Sequence, residues 1–209
     1  MNSLTEIGSV PIDFQVLKSV YPTHTAIHNK VSDLEKSGNI IRLKRGLFVV
    51  SPQISGQLIS TSLIANHIYG PSYISRETAL SQYGLIPERV YNTQSMTTKH
   101  SRKFTNSFGL FEYIQCSDQY FAIGITQATD KNLHYLMATP EKALCDLITS
   151  TPGLILRYKS EATTYLEADL RIDMPAFYKM DVQIMEQCML YGKKKTSIKL
   201  LIQLIEQQV

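Results

Sequence analysis

Arg42, Lys44 and Arg45 crowd into the stretch "SGNIIRLKRGLFVV", residues 37–50. Clustered guanidinium and ammonium groups are the chemistry of phosphate binding. Just upstream stand Thr25, His28, Asn29, Ser32 and Lys36. Thr, Asn and Ser carry short donor–acceptor side chains suited to base edges, and Asn can bridge an adenine. Lys36, like the three cations of residues 42–45, suits phosphate. Asp33 opposes such a surface unless Lys30 or Lys36 neutralises it. Two further cationic groups, Lys99-His100 with Arg102-Lys103 and Lys193-Lys194-Lys195, are suited to flanking DNA, tRNA or an acidic face of a partner.

These side chains need elements to aim them. Ile40–Leu43 and Leu47–Val50 are strand-forming runs, and Lys44-Arg45-Gly46 between them reads as a hairpin turn in which Gly46 takes a positive φ. Ahead of the hairpin, Pro11 to Val20 reads as a short helix ended by Tyr21-Pro22. A second helix runs from Thr23 or Thr25 to Ser37, with Gly38 as its stop. Its Ile27, Val31 and Leu34, at i, i+4 and i+7, form one apolar stripe. Thr25, Asn29, Ser32 and Lys36 lie opposite that stripe, with His28 and Asp33 on its flanks. The order helix, helix, basic hairpin is that of a winged helix-turn-helix, which sets a helix in the major groove and its wing on the backbone. Two plainer readings stay open: a solvated helix face, and a charged hairpin that protects a sheet edge.

Catalytic chemistry finds less support. There is no Walker A sequence, GxGxxG, GxSxG or HExxH. His24 and His28 have metal-ligand spacing but no third ligand, so neither a metal nor a cofactor is expected. Glu141-Lys142 and Asp146 loosely resemble a nuclease's acid–lysine cluster, yet Glu141 is explained by its place in the first turn of a helix. The expectation is a non-enzyme.

The chain has 209 residues with 44% hydrophobic and 19% charged, the balance of a protein that buries a core. A net charge of +3 permits a nucleic-acid partner without requiring one. The N-terminus lacks a basic region followed by an apolar run, and no later stretch is long enough to span a bilayer. Cys116, Cys145 and Cys188 are too scattered for a disulfide framework. These features together lead us to expect a cytoplasmic protein with reduced thiols and no membrane partner.

"SPQISGQ" (residues 51–57) is the most linker-like stretch, dividing the chain into residues 1–55 and 56–209. The second part reads as helix Leu58–Ile68, then a helix capped by Ser75 and stopped at Gly84. Strands follow at residues 93–98, 110–116, 120–127 and 133–137. "ATPEKALCDLITS" is a helix with Thr139 at its N-cap, Pro140 at N1 and Leu144, Leu147 and Ile148 as its apolar face. Later helices are expected over residues 163–170, 175–190 and 196–207. The fold class is α+β: an N-terminal winged helix-turn-helix followed by a larger mixed α/β domain.

"IIRLKRGLFVV", "IYGPSYISRETALSQYGLIPE", "TQSMTTK", "FTNSFGLFEYI" and "ATPEKALCDLI", in that order over residues 10–150, resemble the AbiEi antitoxin family. Its members regulate abortive-infection toxin–antitoxin operons in phage defence. The resemblance implies an N-terminal winged helix that represses its own promoter at inverted repeats, as two copies per site. It also implies a C-terminal domain that counters a nucleotidyltransferase toxin without a stable complex. The implied DNA-binding residues are those of residues 25–36 and 42–45. The alternative is a stand-alone regulator of the same build whose larger domain dimerises or senses a ligand. A third reading is a protein–protein module whose hairpin merely looks like a wing.

Overall fold

The computed structural model describes residues 3–130 and 132–208. It is a mixed α+β structure with a three-stranded and a six-stranded sheet among the described residues.

The N-terminal part runs α1 (Ser3–Ile7), β1 (Ile12–Asp13), α2 (Phe14–Val20), α3 (Ile27–Lys36), β2 (Ile40–Lys44) and β3 (Leu47–Val50). Asp13 rather than Pro11 starts α2: its carboxylate accepts the Val16 amide, leaving residues 12–13 free to pair with β3. The helix expected from Thr23 or Thr25 begins at Ile27, where Ala26 is the N-cap and no side chain caps the end. Thr25 is therefore exposed chain before the helix. The expected stripe holds, since Ile27, Val31 and Leu34 are buried with Leu4, Leu17, Ile40, Phe48 and Val50 in a small core.

The hairpin is antiparallel, with Gly46 at φ +77° in its turn. Every residue of β3 is buried, as a continuous apolar run between two packed faces should be. Phe48 and Val50 enter the small core, whereas Leu43, Leu47 and Val49 enter a larger one. The hairpin is thus a wall shared by both cores. The stretch read as a linker folds into α4 (Pro52–Ser55), and Gln57 beyond it accepts from the Ser9 amide at 3.1 Å.

The larger part continues with α5 (Thr61–Ile68), β4 (Ser72–Ile74), α6 (Arg76–Gln82), β5 (Thr93–Thr97), β6 (Arg102–Asn106), β7 (Gly109–Gln115) and α7 (Asp118–Phe121). Then come β8 (Ile125–Asp130), β9 (Leu133–Ala138), α8 (Pro140–Ser150), α9 (Lys159–Thr164), a π-helical turn over Tyr165–Asp169, α10 (Met174–Phe177), α11 (Val182–Tyr191) and α12 (Lys195–Glu206). The large sheet has the order β6-β7-β5-β4-β9-β8, so β6 and β8 are its edges. β6 falls where the sequence suggested only a basic surface, and the run expected as a strand over residues 120–127 is divided between α7 and β8. α8 starts as expected, with the Thr139 hydroxyl accepting from Lys142 N. Its burial is not confined to one face, because every residue from Glu141 to Ile148 is buried, polar ones included. The helix lies in the middle of the large core, in contact with α6 and β9 and with α11 and α12. No described helix is long and apolar enough to cross a membrane.

Candidate nucleic-acid interface

Along α3, Asn29, Asp33 and Lys36 are exposed and Ser32 is half-buried. His28 is exposed but stacks on the Phe14 ring, centroids 4.5 Å apart. His24 sits edge-on to Tyr21. No group of three or more metal-ligating side chains gathers among the described residues. Lys30 places its ammonium 5.1 Å from the Tyr21 ring centre, and Asp33 forms no ion pair among the described residues. The neutralisation of Asp33 by Lys30 or Lys36 that the sequence allowed is thus not made.

The hairpin cations take separate roles. Arg42 donates from Nε to Glu35 Oε1 at 2.8 Å and from Nη2 to Oε2, a two-pronged pair that ties β2 to α3. Its guanidinium also covers the Phe48 ring at 5.0 Å. This pairing holds the Glu35 carboxyl below its usual range, through the hydrogen bond first. Lys44 instead donates to the Ile68 carbonyl at 2.5 Å. That oxygen ends α5, where carbonyls lack helical partners and a cation is favourable. Arg45, at the tip, is exposed and forms no ion pair among the described residues.

The fold then joins residues distant in sequence. Asn106, at the end of β6, donates to the Leu43 carbonyl at 3.1 Å and fastens the edge of the large sheet to β2. Lys99 and Arg102 come close to Lys44: burial first, then these two cations, push the Lys44 pKa down. The Lys99 ammonium stands 5.3 Å from the Tyr69 ring centre and Arg102 stands 5.0 Å from that of Phe104. Those two rings pack at 5.5 Å, so the cations rest on an aromatic base. No carboxylate forms an ion pair with Lys44, Lys99 or Arg102 among the described residues. Such a cationic surface is relieved by an anion, and one with repeated charges suits it best.

Other cations of the sequence reading lie apart or are engaged. Lys103 pairs with Glu112 across the β6–β7 ladder. Lys194 donates to the carbonyls of Ile148 and Thr151 and so caps the end of α8. Lys195 donates to the Leu190 carbonyl at 3.1 Å. Lys193 is exposed at the rim of a groove.

The Lys142–Asp146 cluster is built as core. Neither side chain has exposed surface, and Lys142 Nζ lies 3.0 Å from Asp146 Oδ1 as a close ion pair off the line of a directed hydrogen bond. The ammonium donates to the Tyr120 carbonyl and lies over that residue's ring. Asp146 Oδ2 accepts from Ser75 Oγ at 2.6 Å and from Tyr73 OH at 3.0 Å. Ser75 stands at the N-cap of α6 as expected, but its hydroxyl makes no cap bond and goes to Asp146 instead. Burial, with Asp146 adding to it, pushes the Tyr73 phenol pKa well up. "YIS" of the stretch "SYISRETALSQYG" and "KALCD" of "TPEKALCDL" therefore meet in one buried network.

No protein-family model matches this chain, and no curated protein matches it either.

Proposed function

We propose that the chain is a DNA-binding transcriptional regulator of the AbiEi antitoxin type, which represses its own promoter at inverted repeats and counters a nucleotidyltransferase toxin. In this reading residues 3–50 form a winged helix: α3 enters the major groove, the hairpin is the wing, and β1 completes its sheet. Asn29, Ser32 and Lys36 face the DNA, with Thr25 and His28 at the start of the reading surface.

One observation carries the reading. Lys44 of the hairpin lies near Lys99 and Arg102 of the larger part, Arg45 follows it in the turn, and no carboxylate pairs with any of the four among the described residues. A duplex bound by the wing would have further phosphates within reach of the second pair. Arg42 contributes by fixing the angle between α3 and the wing. Antitoxin action follows from the family resemblance rather than from this surface.

The deciding experiment is binding to the DNA immediately upstream of the gene, against a scrambled duplex, at two salt concentrations. Sequence-preferring binding that weakens steeply with salt is expected. Equal, weak binding to both duplexes at low salt would overturn the regulator reading. The stand-alone regulator remains the second reading, favoured by a groove of about 680 Å³ in the larger domain. Coexpression with an adjacent nucleotidyltransferase toxin separates the two, since only an antitoxin restores growth.

A further inference from the structure

The groove between β7 and the turn joining α11 to α12 takes no part in the DNA contacts proposed above. We propose that it binds a nucleoside monophosphate unit, either free or as the terminal residue of a nucleic-acid strand. Its volume of about 680 Å³ falls in the range of sites that enclose one small molecule.

The walls divide by chemistry. Met96 and Ile114 supply apolar surface, and Tyr191, 47% exposed, offers a ring face on which a planar base can stack. The Gln115 amide supplies neutral donor and acceptor groups for a base edge or sugar hydroxyl, and the Ser150 hydroxyl, which donates to the Asp146 carbonyl, can accept from one. Among the described residues, Lys193 is the only charged side chain of the lining and no carboxylate lines the groove. An aromatic face, neutral hydrogen-bonding groups and one cation match a ligand that is planar, hydroxylated and singly phosphorylated. At the rim, Ser101 Oγ accepts from the Gln115 backbone amide at 2.9 Å, while Arg102, next in sequence, lies on the opposite face of the sheet with Phe104 and Tyr113.

The turn that forms one wall is closely fitted. A Cβ at Gly192 would meet the Cys188 carbonyl at 2.5 Å and the Tyr120 ring at 2.6 Å. Only glycine lets the turn approach so near, and that approach sets Tyr191 and Lys193 at the rim.

Calorimetry on the full chain tests the site with AMP, GMP, CMP and UMP, with adenosine and inorganic phosphate as half-ligands, and with a single-stranded tetranucleotide. At least one monophosphate or the tetranucleotide is expected to bind saturably, and adenosine and phosphate about 10-fold more weakly or worse. Tyr191→Ala should weaken the preferred ligand by about 10-fold through lost stacking. Lys193→Ala should weaken phosphate-bearing ligands while leaving adenosine unchanged. Both positions are exposed, and unchanged thermal melting would confirm intact folding. Cys116, the one thiol not fully buried, lines the groove, so occupancy should slow its reaction with a maleimide. Binding of the tetranucleotide alone, sensitive to both substitutions, assigns the site to strand ends; binding of a monophosphate assigns it to the free nucleotide. No saturable binding of either class, or binding indifferent to both substitutions, overturns the proposal. The groove contains no residue of α3 or the hairpin, so its failure would leave promoter binding intact, and the reverse.

Discussion

Lys142 and the cations where the hairpin meets the large sheet are similar chemical groups in opposite surroundings. Lys142 is wholly buried, and its charge is met on every side by Asp146, the Tyr120 carbonyl and an aromatic ring. Lys99 and Arg102 are exposed, rest on aromatic rings and form no ion pair with a carboxylate among the described residues. A buried charge must be answered by the fold itself, since its desolvation costs several kcal/mol. An exposed, unanswered charge costs little to hold and is left for a partner. The distinction separates engaged from available cations better than sequence clustering does: Lys194 belongs to a run of lysines yet caps a helix, whereas Arg45 forms no ion pair among the described residues.

The core side of the comparison is broken most forcefully at Asp146. Asp146→Ala leaves Lys142 buried without its counter-charge and should cost about 3–5 kcal/mol, read as a lower urea midpoint by circular dichroism. Lys142→Met combined with Asp146→Leu should recover only part of that loss, because it removes both buried charges but leaves the Ser75 and Tyr73 hydroxyls and the Tyr120 carbonyl without these partners. A cost under about 1 kcal/mol for the single change would mean that the network does not behave as a closed core pair.

The surface side is sharpened by Asn29→Ala. It should lose about 1–3 kcal/mol at the cognate site and little on scrambled DNA, since base-edge bonds discriminate where phosphate contacts do not. Equal losses on both duplexes would take Asn29 off the reading face.

Glu35→Gln tests the border between the two classes by turning Arg42 from a paired into a free cation. The stability effect should be small, about 0.5 kcal/mol, because the pair is exposed to solvent and screened. Binding to random DNA should rise slightly. The pH dependence has a definite sign. Glu35's folded pKa is lowered, so the pair's contribution is complete above the ordinary carboxyl range and is lost as pH falls through the folded value. Glu35→Gln should therefore flatten the acid limb of the stability curve a little, and an unchanged limb would show the pair to be energetically silent.

Local chemistry made parts of this molecule legible in sequence. The i, i+4, i+7 stripe of α3, the turn at Gly46 and the Thr139-Pro140 start of α8 each depend on neighbours a few residues away. What escaped depends on distant contacts. A charged residue on a helix reads as its solvent face, so Lys142 and Asp146 could not disclose a helix buried all round; Tyr73, Ser75 and Tyr120, which make that burial tolerable, come from other elements. β6, "RKFTN", looked like a basic surface because an edge strand buries little, and Phe104 is its one aromatic anchor. The meeting of Lys44 with Lys99 and Arg102 is created by the Asn106–Leu43 clasp and by the hairpin's burial in two cores. The groove beside Gly192 was equally hidden, since its walls come from separate strands and helices.

The central claim is that the hairpin and the larger domain present one cationic surface to DNA. Its most direct test is the dependence of DNA affinity on salt for the full chain, against a variant carrying Arg45→Ala, Lys99→Ala and Arg102→Ala. Three lost phosphate contacts should flatten the slope of log K against log salt by about 2–3, with cognate preference retained through α3. A slope unchanged in the variant would contradict the account, leaving the junction as surface charge that DNA never meets.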